Sequence, residues 1–228
     1  MTTARFAGFP PEAMRFLGEL KANNDRDWFT AHRGVYDTAI RAPAEAFVAV
    51  ALPEIEALAQ GPVSAKIFRI HRDVRFSKDK SPYNAHLHIG FALEPRPGEG
   101  RAPRCGFYFG LEPERLHLGA GMFEFDGEAL DRYRAAVADE AEGGALGKLI
   151  EGLARDGCRL NDPQLKRTPA PYAPDHPRGD LLRRKGLAAW REITDRSLIE
   201  SHALFDETLA AFRRLASLNA WIASALDA

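Results

Sequence analysis

Between Ile67 and Leu118 apolar residues recur at every second position, and on either side of that stretch they recur every third or fourth. A two-residue repeat places apolar side chains on one face of a strand, whereas steps of three and four place them on one face of a helix. The alternating runs are Phe68, Ile70, Val74 and Phe76; Leu87, Ile89, Phe91 and Leu93; Phe107, Phe109 and Leu111; and Leu116 and Leu118. Short turns between them predict an antiparallel meander. Arg72 falls on the apolar side of the first run, which predicts a bulge or a buried pair there. The Pro- and Gly-rich segment 94–104 reads as an exposed hairpin tip.

Before the strands, Phe16, Leu17 and Leu20 mark a short first helix. A second helical stripe runs through Trp28, Phe29, Val35, Tyr36, Ala39 and Ile40, with Asn24 as its expected cap. The pattern continues through Phe47, Val48, Ala51, Leu52, Ile55 and Leu58, where Pro43 is expected to restart the helix and Pro53 to kink it. After the strands, Leu130, Tyr133 and Val137 follow the candidate cap Asp126. Leu146, Leu149, Ile150 and Leu153 precede the stop Gly157, and Phe205, Leu209, Phe212, Leu215, Ile222 and Leu226 mark a long terminal helix. The segment 161–179, with five prolines, reads as irregular. The fold class predicted is α+β: an antiparallel sheet of about four or more strands packed with N-terminal, middle and C-terminal helices. At 228 residues a single domain over 1–228 is expected.

Charge narrows the chemistry. The formal net charge is −1, which lacks the basic excess of a dedicated nucleic-acid binder and argues against that class. Any electrostatic attraction is local, and it concentrates between Lys66 and Lys80. There Lys66, Arg69, Arg72, Arg75, Lys78 and Lys80 stand against Asp73 and Asp79, a formal +4. Guanidinium groups suit bidentate capture of a phosphate or carboxylate, so Arg69, Arg72, Asp73, Arg75, Lys78, Lys80 and Tyr83 form the candidate ligand site. Tyr83 or Trp28 would stack on a base if the ligand is a nucleotide. The plainer alternative is that these charges pair among themselves and leave a solvated face.

Three histidines, His71, His86 and His88, are weaker candidates for a metal, with His117 on a neighbouring strand. A His-x-His pair on one strand face has little specificity on its own. His32 reads as a satisfied core histidine, and Asp175-His176 as turn-stabilising residues. No Gly-x-Gly-x-x-Gly, Walker loop or Gly-x-Ser-x-Gly elbow is present, so these motifs do not say which cofactor, if any, the chain uses. Cys105 and Cys158 form no Cys-x-x-Cys pair and read as reduced thiols. Pro10, Pro11 and Glu12 stand where a signal peptide needs an apolar run, and no segment reaches the roughly 18 apolar residues of a membrane span. A cytoplasmic protein without membrane contact is expected.

Three motifs together carry a family resemblance: Asn23-Asn-Asp-Arg-Asp-Trp-Phe29, then Phe68-Arg-Ile-His-Arg-Asp-Val-Arg-Phe-Ser-Lys-Asp-Lys-Ser-Pro-Tyr83, then Asp175-His-Pro177 followed by Leu182-Arg-Arg-Lys-Gly-Leu187. The chain resembles the mainly bacterial family called domain of unknown function 2461 over nearly its whole length. That resemblance implies a single-domain chain and supplies no activity, cofactor or catalytic residue. Two positions depart from it. Asn84 stands where the family tends to have Lys, and Pro169-Ala-Pro171 where it tends to have Pro-Lys-Gly. If the family binds anions, these losses place the burden on Arg72, Arg75, Lys78 and Lys80. The expected function is binding or processing of a phosphate-bearing or other anionic small ligand. The alternatives are a protein-interaction module that docks an acidic partner and a histidine-based metal enzyme.

Overall fold

Helix α1 (Pro11–Ala22) starts with proline at its first position, where a missing N–H costs nothing, and buries Phe16, Leu17 and Leu20 as the stripe predicts. The computed structural model describes residues 6–94 and 105–227, so the predicted hairpin tip lies, apart from Glu94, outside the described residues. Helix α2 (Arg26–Val35) is capped by Asp25, whose carboxylate accepts from Trp28 N at 2.8 Å. Asn24, the expected cap, is used elsewhere: its side chain accepts from Tyr83 N and donates to Tyr83 O, both at 3.0 Å. Pro43 stands at the start of a new α-helical run, as expected. Residues Tyr36–Arg41 form a π-helical segment in which Ala42 N reaches back to Asp37 O, and helix α3 (Ala42–Ala59) follows without a break. The widened turn sits immediately before the residue that has no N–H to give. Pro53 lies inside α3, which runs on for six more residues to Ala59 and ends at Gln60 in the left-handed conformation.

The six-stranded sheet comprises β1 (Val63–Ile67), β2 (Leu87–Leu93), β3 (Gly106–Leu111), β4 (Leu116–Met122), β5 (Arg159–Leu160) and β6 (Leu187–Ile193). Their order is β1-β2-β3-β4-β6-β5, with every neighbouring pair antiparallel. The predicted meander is β2, β3 and β4. The predicted strand over 67–76 is corrected: regular pairing ends at Ile67. Beyond it the alternating apolar residues find little to pack on. Phe68 is 47% exposed and Phe76 96%, and only Ile70 and the opposed Tyr83 are buried. The segment folds back on itself through an isolated His71–Tyr83 bridge, with Arg72 N donating to Pro82 O and Asn84 N to Ile70 O. Arg72 is partly buried there and pairs with the exposed Asp79, so the pair is not a buried one.

Strand β6 was not foreseen, because Leu187, Ala189, Arg191 and Ile193 carry an arginine among the inward residues. That arginine is matched by Glu207 at 2.8 Å on helix α8 (Ala203–Asp227). Helices α4 (Gly127–Ala138) and α5 (Glu140–Arg155) begin at Asp126, as predicted, and at Asp139. Two short helices, α6 (Gly179–Leu182) and α7 (Arg196–Ile199), complete the described elements. The segment 161–178 is irregular apart from turns, as its prolines predict. Helices α3 and α8 pack on one face of the sheet, with Phe47 against Phe109 at 4.8 Å and Phe107 against Phe212 at 4.9 Å. Cys105 and Cys158 are buried and not joined to each other. No helix among the described residues is long and apolar enough to cross a membrane.

Candidate ligand site on the open face of the sheet

Strand alternation sends every second residue away from the helices, and register aligns those residues into rows. Lys66, Gly90, Tyr108, Gly119, Trp190 and Arg159 are successive partners across the sheet, and so are His88, Gly110, His117 and Glu192. Large side chains flank the glycines in both rows: Gly90 and Gly119 lie on either side of Tyr108, and Gly110 lies between His88 and His117. A Cβ on Gly119 would lie 2.4 Å from Trp190 Cε3, and one on Gly110 would lie 3.1 Å from His88 Cδ2. The glycines therefore let the indole and imidazole rings lie down on the backbone. Tyr108, between two of these glycines, donates to Gly121 O at 3.3 Å, and burial pushes its phenol up to about 12.

At the β1 end, the irregular segment after Ile67 closes over the sheet face and leaves a cavity of about 390 Å³. Arg69, His71, Arg72, His86 and His88 line it, together with Phe68, Asp73 and Asn84. Arg72 is anchored: it pairs with Asp79 and donates to Ser81 O at 3.2 Å. Ser81 and Arg72 hold the Asp79 carboxyl well below the usual range. Among the described residues the Arg69 guanidinium has no hydrogen-bond or ion-pair partner.

Of the other predicted ligand residues, Arg75 is committed to a two-pronged pair with Asp73, with Nη2 to Oδ2 at 2.6 Å and Nε to Oδ1 at 2.9 Å. Lys80 Nζ donates to Val74 O at 3.0 Å, and Lys78 is an exposed lysine away from the cavity. Tyr83 is buried with its ring stacked 4.2 Å from Phe29, as part of the hydrophobic core. Trp28 likewise stacks on His32, at 4.0 Å, and His32 Nδ1 lies 2.8 Å from Trp28 O. The structure thus divides the basic run. Arg69 and Arg72 face the cavity, while Arg75 and Lys80 tie the loop to itself.

The histidines gather in the same cavity. The rings of His86 and His88 stack at 3.9 Å, and His71 meets Phe29 edge-on at 5.9 Å. Desolvation, followed by the neighbouring His86, lowers His88 to about 4, and His86 is also lowered, mainly by burial. Among the described residues no group of three His, Cys, Asp or Glu side chains is arranged to hold a metal ion. His71, His86 and His88 share a cavity without forming such a set.

Phe68 and His88 also border a second, larger hollow of about 760 Å³ that continues across the sheet. One wall is aromatic: Tyr108, Phe123 and Trp190, with ring centroids 4.3 to 5.7 Å apart. The rim formed by the ends of β3, β4 and β6 is charged, and its Glu112 stands next to His86 and His88. Arg115 donates to Glu112 at 3.0 Å and approaches Glu192 at 3.6 Å, and Arg159 pairs with Glu192. His117 lies between the two carboxylates, 3.4 Å from Glu112 and 3.9 Å from Glu192. Burial alone would raise Glu112, but Arg115 and His117 outweigh it and hold the carboxyl below its usual value. Sequence reasoning noted His117 and missed Glu112, Tyr108, Phe123, Trp190 and Glu192. The available signal was the Ala188, Trp190, Glu192 alternation, which becomes legible only once β6 is placed beside β4.

The comparisons agree with the resemblance read from the motifs. A family profile described as conserved hypothetical protein (DUF2461) matches residues 12–221, and the chain belongs to that family. No curated protein matches the chain.

Proposed function

We propose that this member of the family binds a small phosphate- or carboxylate-bearing ligand in the basic cavity, with Arg69 as the principal contact and Arg72 beside it. One observation carries the reading: Arg69, near Asp73 but with no hydrogen bond or ion pair to its guanidinium among the described residues, lines a ligand-sized hollow whose other arginine, Arg72, is held in place by Asp79 and Ser81. An anchored arginine presents its remaining donors in a fixed direction, which favours a planar or tetrahedral oxyanion. His86 and His88, kept neutral by their surroundings, add hydrogen-bonding nitrogens without adding charge.

A thermal-unfolding screen against inorganic pyrophosphate, phosphorylated sugars and dicarboxylates at fixed salt tests the proposal. A ligand at about 100 times its dissociation constant stabilises by about 2.7 kcal/mol, a shift of several degrees for a chain of this size. The shift is expected with oxyanions and is expected to vanish in Arg69→Ala. A flat response across the whole panel would sink it.

A second reading is favoured by Phe76, which is 96% exposed with the Arg75 guanidinium 5.9 Å from its ring and Lys78 and Lys80 close by in sequence. An aromatic tip among cations suits an acidic protein surface. Salt-sensitive capture of one acidic partner, lost in Phe76→Ser and intact in Arg69→Ala, would shift the function to the loop tip.

A further inference from the structure

We infer that the larger hollow is a second subsite for a planar ring, so that the ligand is an oxyanion carried on an aromatic or heteroaromatic ring. This rests on the anion reading for the orientation of the ligand, but its own observations are separate. Phe68 and His88 line both hollows, so the two are neighbours on the same face of the sheet. Their sizes, about 390 and 760 Å³, fall within or near the several hundred Å³ of small-molecule pockets.

The wall of the larger hollow is built for a flat surface. Gly119 brings Trp190 down onto the sheet, where no Cβ would fit beneath the indole. Phe123, beside Tyr108 and Trp190, is 57% exposed, a large apolar area presented to water next to two other rings. Clustered exposed aromatics beside a concave site mark a place where something apolar is laid down. Rings stack on such a platform whatever their edge pattern, because every ring offers a π-face.

Charge then sets direction. The β6 side of the larger hollow carries Glu192 and Asp162 with Arg159, Glu112 stands next to His86 and His88, and Arg69 and Arg72 line the smaller hollow. Glu112 and Glu192 are matched by Arg115 and Arg159, but the Asp162 carboxylate has no partner among the described residues. An oxyanion is repelled from that end and drawn to Arg69, and ring-borne N–H donors suit the acidic side.

The test is calorimetric titration of the intact chain with pyrophosphate, ribose 5-phosphate, phenyl phosphate, AMP and adenosine, with tryptophan fluorescence read in parallel. Phenyl phosphate or AMP is expected to bind about 10-fold tighter than ribose 5-phosphate, within the range of one aromatic stacking contact. That advantage is expected to disappear in Phe123→Ala and Trp190→Ala, with pyrophosphate binding unchanged in both. Phe123→Ala keeps the test decisive if loss of the half-buried indole disturbs folding. Equal binding of ring-bearing and ringless phosphates overturns the ring subsite and leaves the anion reading intact. Adenosine binding as tightly as AMP, indifferent to Arg69→Ala, removes the anion reading and leaves the platform alone. No binding by any of the five compounds overturns both.

Discussion

His88 borders both hollows, and its surroundings disfavour the imidazolium. In the unfolded chain it takes up a proton near 6.5, whereas in the folded protein it does so only near 4. Between those values the unfolded state binds the extra proton, so acidification through this window draws the equilibrium toward unfolding. Stability is expected to be unaffected by His88 above pH 6.5 and to fall progressively from there to about pH 4. His86 is shifted the same way and adds to the fall. Urea midpoints measured across pH 7 to 4 are expected to decline less steeply in His88→Gln. Equal slopes for the two proteins would mean that the ring is fully solvated. Asn24 makes a different residue-scale claim. Its amide satisfies both backbone groups of Tyr83, and Asn24→Ala leaves them without that partner, a loss of about 1–3 kcal/mol in an equilibrium unfolding measurement. The sequence marks Asn24 as a helix cap because caps are local. Its true partner is 59 residues away, and no local rule points there.

At the scale of elements, alternation located the meander of β2, β3 and β4, periodicity with the Asp126 cap located α4, and periodicity alone located α8, because in each the local pattern agrees with the burial that tertiary packing supplies. It misled over 68–76, where the pattern alternates but the apolar positions have no second layer to enter, as the exposure of Phe68 and Phe76 records. The basic run is a loop, and that is why Arg69 and Arg75 face different surroundings although a strand would set Arg69, His71 and Arg75 on one side. Loop-tip residues that touch little are expected to matter little for folding: Phe76→Ser should change unfolding free energy by no more than about 0.5 kcal/mol. The glycine rows predict the opposite kind of effect. In Gly119→Ala the added methyl meets the Trp190 ring, so the indole must lift from the sheet. Near-ultraviolet circular dichroism should register the displaced ring, and an unchanged spectrum would show that the backbone moves instead.

Over the whole molecule, helices α3 and α8 give the sheet one covered face, and the core lies between them. Phe47 is fully buried against Phe6, Phe91 and Phe109, and Phe47→Ala is expected to cost about 3–5 kcal/mol through lost burial and the cavity left behind. The predicted architecture is the observed one, since composition and periodicity report which side chains need burial. Site residues answer to another requirement, which is convergence in space. Arg69 comes from a loop, His88 from β2, Tyr108 from β3, Trp190 from β6 and Asp162 from the Pro-rich segment.

The alternation along each strand also separates two kinds of information. In β2 the odd positions 87, 89 and 91 are buried beneath the helices, while His88 and Gly90 look outward. In β4 the parity reverses, with Leu116, Leu118 and Ala120 inward and His117 and Gly119 outward. A mutational scan along these strands is thus two interleaved texts: one set of letters fills the core beneath the helices, and the letters between them shape the open face.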